Sequence, residues 1–150
     1  MKLIVPPPAQ GLICAVAMYF VEQSLGPSTT TISGQRGIAL TLGGAGLLID
    51  LLAIAAFINQ RTTISPFHPS QTKKLVISGL YRFSRNPMYL GLLLILLGWG
   101  LWLGHPLNIA LIALWIGYIT HFQIKPEEAV LREKFGGEYD TYRQQVRRWI

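Results

Sequence analysis

The sequence predicts an all-α, polytopic helical membrane protein, with about four transmembrane helices followed by C-terminal helices in the cytoplasm or at the interface. Three observations lead there. Four long runs are almost free of charge. Hydrophobic residues make up 51% of the 150 and charged residues 13%, against roughly 25% charged in an ordinary soluble domain. The basic residues also gather beside the apolar runs: of 13, five lie between Arg61 and Arg85 and six between Lys125 and Arg148. A formal charge of +6 could suit nucleic acid, but bases clustered in this way mark the cytoplasmic flank of a membrane. No nucleic-acid partner is expected.

The length fits one domain, residues 1–150. The first span is expected at 9–25, where Pro6, Pro7 and Pro8 end any helix on the left and Gly26-Pro27 on the right. The second, 37–58, is long enough for a hydrocarbon core of ~30 Å. A polar, basic connection with Pro66 and Pro69 follows. The third span, 88–103, is short, and Trp99 and Trp102 near its end suit an interfacial belt. Gly104-His105-Pro106 breaks the chain tightly, so the third span and the fourth, 107–124, form a hairpin. Pro126 then opens a polar helix, Gly136-Gly137 breaks it, and a last helix runs to Ile150. There Tyr139, Tyr142, Val146 and Trp149 form a stripe opposed by Arg143, Arg147 and Arg148, an amphipathic helix suited to an anionic membrane face.

Four spans put both termini and both basic segments on one side, leaving only Arg36 among the basic residues on the other. That asymmetry places the basic segments in the cytoplasm, where they can meet. The protein is therefore expected to be an integral membrane protein, surrounded by membrane lipids.

Some features carry less chemistry than they suggest. Gly43-Gly44-Ala45-Gly46 lacks the preceding strand of a nucleotide fingerprint and lies inside an apolar run, where small residues let helices approach. Asp50 is a carboxylate within a span, which either bonds a neighbouring helix or lines a cavity. The lone Cys14 allows no internal disulfide, and His68, His105 and His121 are not at metal-ligand spacing, so no metal is expected. His121 ends a span and could line a site.

Two segments are denser. Residues 78–91 hold two arginines, two tyrosines and an asparagine before the third span, with Pro87 suited to its first turn and Asn86 to its cap. Arg82 and Arg85 beside a helix N-terminus favour an anionic group. In residues 121–142, Ile124, Glu128, Leu131 and Phe135 share one helical face, so Glu128 sits on the apolar stripe and needs a buried partner. Glu127, roughly 100° away, could be exposed.

Together these segments resemble the isoprenylcysteine carboxyl methyltransferase and phospholipid methyltransferase superfamily. The first carries Gly79, Tyr81, Arg82, Arg85, Asn86, Pro87, Tyr89 and Gly91. The second carries Glu127, Glu128, Leu131, Phe135, Gly136, Tyr139 and Tyr142. Val146 with Arg147-Arg148-Trp149 looks like the ending of prokaryotic members, which implies the plasma or inner membrane of a prokaryote. The resemblance covers about Thr62 to Ile150. It implies a membrane methyltransferase that binds S-adenosylmethionine between the two cytoplasmic segments and methylates a small lipophilic acceptor entering from the bilayer. The acceptor is the carboxylate or thiol of an isoprenylcysteine-like molecule or, on the same scaffold, a phospholipid amine; a non-catalytic membrane protein is the reading from another class. The implied cofactor-binding residues are Tyr81, Asn86, Pro87, Tyr89, His121, Glu127 and Glu128. Arg82, Arg85 and Glu128 are the implied catalytic residues. Asn86 stands where the family often has histidine. Gln123 stands where eukaryotic members carry an arginine that handles the substrate carboxylate, which leaves that task to Lys125, Arg82 or Arg85.

Overall fold

A computed structural model describes residues 6–26, 33–59 and 74–150. Most of the basic connection, with Arg61, Pro66, His68, Pro69 and Lys73, lies outside the described residues. Those described are helical, with no strand among them. Helix α1 is Pro7–Leu25 and α2 is Gln35–Asn59; after a 3₁₀ turn at Gly79–Arg82 come α3, Pro87–Leu103, and α4, Leu107–Ile119. A π turn at Thr120–Ile124 joins α4 to α5, Lys125–Phe135, and α6 is Gly137–Gln145.

Among the described residues, two helices are long and apolar enough to cross a membrane: Gln35–Ala56 within α2, and the continuous Leu107–Phe135. The apolar helix α3 is shorter, at 17 residues. Large apolar side chains point outward, among them Leu12 and Phe20 of α1, Leu40 of α2 (66% exposed) and Leu114 of α4 (71% exposed). Water does not suit so extensive an apolar surface; hydrocarbon does. At 29 residues, Leu107–Phe135 reaches about 43 Å, well beyond a hydrocarbon core of ~30 Å. Its uncharged part ends at Ile124, so the stretch from Lys125 projects beyond it.

Small residues set the closest packing. Helices α2 and α3 form the most extensive pair. A Cβ on Gly46 would run into the carbonyl of Gly91, and one on Gly98 would meet the Ala39 carbonyl at 2.7 Å. One Asp50 oxygen is buried against Gly91 without a hydrogen-bond partner among the described residues. Helix α1 packs on α3 and α4 through Cys14 and Met18, in a core with Tyr89, Leu96, Ile112, Trp115 and Ile119. The α3–α4 hairpin turns at Gly104, which adopts φ 74°, a left-handed conformation that glycine takes without steric cost.

Several expectations need correction. Pro7 and Pro8 lie inside α1, at its start. Amides of a first helical turn have no intrahelical acceptor, so proline loses nothing there. Trp99 does not simply face the interface: its indole N–H donates to the Ala15 carbonyl at 3.0 Å. The helix that carries the fourth span does not stop before Pro126. Proline cannot donate to the carbonyl four residues back and its ring crowds that oxygen; the widened turn just before it, in which the Lys125 amide bonds the Thr120 carbonyl, lets the helix pass through.

The C-terminal stripe also differs. Helix α6 ends at Gln145, and Val146 is extended. Gly136, at φ 52° and ψ −123°, folds α6 back, so Tyr139, Tyr142 and Val146 pack with Leu131, Phe135 and Leu75. Trp149 packs against the core of α1, α3 and α4. Protein covers the stripe assigned to a membrane face, because inward partners for its aromatic rings come from α5 and the 3₁₀ region.

Candidate active site

The beginning of α3, the beginning of α5 and the chain after α6 converge at one end of the bundle. The 3₁₀ turn sets Tyr81 inward, where it is buried with Val76 and Ala53, and the Tyr142 hydroxyl donates to its carbonyl at 2.7 Å. Burial, with the nearby charges of Tyr142, Glu127 and Asp50, pushes the Tyr81 phenol far above its ordinary range.

Residues 84–86 hold the C-terminal tail. The Arg85 amide donates to the Arg147 carbonyl at 3.0 Å. The Ser84 hydroxyl and the Asn86 side-chain amide both donate to the Arg148 carbonyl, at 3.3 and 3.0 Å. Asn86 occupies the N-cap position of α3, but its side chain makes no capping bond; its own amide donates instead to Ser84 Oγ at 3.1 Å. The expected cap is therefore replaced by a tether to the tail. Pro87, in the first turn, is fully buried.

The two glutamates of α5 take different partners. Glu128 receives two guanidinium groups. Arg85 donates Nε and Nη2 to Oε1 at 3.2 and 2.8 Å. Arg148 donates Nε to Oε1 at 3.1 Å and Nη2 to Oε2 at 2.7 Å. Arg85 Nη1 reaches the carbonyls of Arg143 and Val146, at 3.1 and 2.9 Å. Burial alone would raise the Glu128 carboxyl, but the hydrogen bonds and charges of Arg148 and Arg85 outweigh it and hold the group below its usual value.

Glu127 is enclosed rather than exposed. Its Oε1 accepts from Tyr89 OH at 2.9 Å and from Gln123 Nε2 at 2.8 Å. Gln123 in turn accepts from Gln10 Nε2 of α1 at 3.4 Å. Burial pushes the Glu127 carboxyl up to about 7, against the lowering effect of the Gln123 and Tyr89 hydrogen bonds.

The structure thus brings together Tyr81, Arg85, Asn86, Pro87, Tyr89, Glu127 and Glu128. It leaves two sequence candidates outside this cluster. Arg82 is exposed on the 3₁₀ turn, and His121 is exposed with its ring edge-on to Phe122 at 4.8 Å. The sequence did not single out Gln10 or Ser84, nor Gln123 and Arg148 in these roles. Burial of an amide in an apolar run offered a signal for Gln123. Arg148 offered none, since it reads equally well as a solvated face.

A family model described as "Phospholipid methyltransferase" matches residues 35–138. Two rice proteins, from Oryza sativa subsp. indica and subsp. japonica, are each described as a probable protein-S-isoprenylcysteine O-methyltransferase. Each is 31% identical over 109 residues, which is 73% of this chain and 57% of the rice protein. The chain therefore spans little more than half their length. An uncharacterized protein of Haemophilus influenzae is 54% identical over 63 residues, 42% of this chain and all of that protein. No solved structure gives a significant match.

Proposed function

Since the chain belongs to the phospholipid methyltransferase family, within a superfamily that includes isoprenylcysteine methyltransferases, we propose that it is a membrane-embedded, S-adenosylmethionine-dependent methyltransferase. Its acceptor is a small lipophilic molecule, the carboxylate or thiol of an isoprenylcysteine-like compound. The observation that carries the cofactor assignment is Glu127, whose hydrogen-bond partners Tyr89 and Gln123 are both neutral. An enclosed carboxylate without a cation of its own suits a cationic ligand, and the cofactor carries a sulfonium and an ammonium group. When bound, it supplies an already activated methyl group, so the protein's task is alignment and exclusion of water.

In this reading Tyr89 and Gln123 orient the Glu127 carboxylate toward the cofactor's positive charge. Tyr81 walls the site from the α2 side, and Asn86 and Pro87 fix the first turn of α3. Glu128 acts through Arg85 and Arg148 as a positioning residue that ties the tail over the site. Arg82 and His121 lie outside this cluster and take no part in it. A carboxylate or thiolate acceptor needs no general base.

One observation favours a second reading, phospholipid amine N-methylation. An amine must lose a proton before it attacks, and a proton acceptor works best with a pKa near the working pH. Glu127, raised to about 7, meets that condition.

Topology is part of the proposal. Four spans, α1 to α4, place the two polar segments at the cytoplasmic face of a prokaryotic inner membrane. In a background lacking Cys14, a cysteine at Gln144 should resist an impermeant thiol reagent in intact cells while one at Ser33 reacts. Labelling at Gln144 would reverse the orientation.

The functional test is incubation of vesicle-reconstituted protein with methyl-labelled S-adenosylmethionine, followed by an untargeted search for methylated lipids and thiols. Label should enter a lipid-extractable product, and Glu127→Gln should abolish most of that transfer. Methylated ethanolamine lipids would select the second reading. A folded protein that fails to bind S-adenosylmethionine would refute both and leave a non-catalytic membrane protein.

A further inference from the structure

The Glu128 cluster holds more positive charge than it neutralises: one carboxylate faces two guanidinium groups. The two arginines are not equally committed. Arg85 spends Nε and Nη2 on Glu128 and Nη1 on two carbonyls, and its side chain is 8% exposed. Arg148 spends only Nε and Nη2, and its side chain is 33% exposed. Its Nη1 makes no hydrogen bond among the described residues. Of the two arginines singled out by sequence for holding an anion, Arg82 lies outside the cluster and Arg85 is saturated, while Arg148 on the tail is available.

Tyr139 supplies a second, independent observation. The residue is 2% exposed, and its hydroxyl has no hydrogen-bond partner among the described residues. Leaving a hydroxyl buried and unpaired is costly, and phenylalanine would pack the same ring without that cost. The hydroxyl lies within the field of the cluster: burial raises the phenol to about 12, and Glu128, Arg85, Arg143 and Arg148 all act on it.

We propose that Arg148 and Tyr139 form an anion subsite that takes the carboxylate or phosphate of a membrane-borne methyl acceptor. The net positive charge of the Arg85–Glu128–Arg148 cluster attracts the group. The uncommitted edge of Arg148 and the Tyr139 hydroxyl both donate to its oxygens. Arg85 and Glu128 hold the Arg148 guanidinium in orientation. The extended tail, fixed by Ser84, Arg85 and Asn86, thus becomes a wall of the acceptor site. That the anion belongs to an acceptor rests on the methyltransferase reading; that the subsite binds an anion does not.

The test uses the full chain in phosphatidylcholine vesicles, with dodecyl phosphate and uncharged dodecanol as probes and S-adenosylmethionine binding measured in parallel. Arg148→Gln and Tyr139→Phe should each weaken dodecyl phosphate binding about tenfold or more, with dodecanol and cofactor binding unchanged. Arg147→Gln, an exposed neighbour of equal charge, should leave it unchanged. Inorganic phosphate in large excess should not displace the tailed probe. Tyr139→Phe keeps the ring and the fold, so it decides the matter even if Arg148→Gln loosens the tail. Unchanged affinity in Tyr139→Phe, equal losses in Arg147→Gln and Arg148→Gln, or free displacement by inorganic phosphate would each overturn the proposal. If the dodecyl phosphate pattern holds but S-adenosylmethionine does not bind, the subsite stands and the methyltransferase reading falls.

Discussion

Glu127 and Glu128 follow one another on α5, and about 100° of helical rotation sends them to opposite surroundings. Glu127 turns into the bundle, toward the Tyr89 phenol of α3 and the Gln123 amide of the π turn, which itself accepts from Gln10 of α1. Glu128 turns toward the tail and meets two guanidinium groups. Burial raises both carboxyls, but only at Glu128 do positive charges outweigh it. A repeated residue type in a motif therefore does not imply a shared role. One glutamate has only neutral partners, which in the proposed function leaves its charge for a ligand, and the other meets two cations that tie it to the tail.

The largest expected effect breaks the tail-side cluster. Glu128→Gln leaves two neighbouring guanidinium groups, one almost fully buried, without a counter-charge. It should destabilise the detergent-solubilised protein by about 3 kcal/mol, since removing one member of a buried ion pair is severe. Thermal unfolding measures this, and an unchanged Tm would mean that the cluster contributes nothing to holding the tail. Glu127→Gln should do the reverse. It keeps size and most hydrogen bonding, so the loss should appear in S-adenosylmethionine affinity, at about 1.5–3 kcal/mol for a charged hydrogen bond. Titration calorimetry giving equal affinities would remove Glu127 from the cofactor site.

The pH dependence sharpens the same contrast. Glu127 has a raised carboxyl, so its stabilising contribution is full at low pH and is lost as pH climbs through about 7. Glu128, held low, contributes stability above the ordinary glutamate range and loses it as pH falls through its depressed value. The Tm advantage of wild type over Glu127→Gln should therefore shrink between about pH 5 and pH 8. Parallel profiles for the two proteins would contradict a raised Glu127. Cofactor affinity should rise over the same range, as the carboxylate becomes charged. The smallest effect belongs to Tyr89→Phe. Loss of one hydrogen bond should cost about 1 kcal/mol and move the midpoint of that affinity change upward, because the Tyr89 bond lowers the Glu127 carboxyl. A midpoint that stays fixed would separate Tyr89 from Glu127 in solution.

Much of this was legible beforehand, for identifiable reasons. Apolar runs and punctuating Gly and Pro residues gave the helices α2, α3 and α4 to within a few residues, and Gly104-His105-Pro106 gave the hairpin. The spacing of Ile124, Glu128, Leu131 and Phe135 described one face of α5. The two dense segments do meet. What sequence could not supply was the partner of each polar group. Glu127 was judged by distance from an apolar stripe, but its burial comes from Tyr89 and Gln123, on other turns of the fold. Arg148 belongs to a pattern that reads as amphipathic helix until Gly136 is seen to fold it back. The prolines of α1 misled because the rule for helix interiors does not apply to a first turn.

The widened turn at Thr120–Ile124 sets the phase of everything after it. Such a turn holds one residue more than an ordinary helical turn of nearly the same rise. Were the same residues wound as an ordinary helix, each later one would move into the place of its successor: Glu127 would face the two arginines, and Pro126 would stand among the neutral donors that now serve Glu127. The extra residue therefore decides which glutamate meets which partners, and a single-codon deletion that restores an ordinary helix in this turn should leave both where they are.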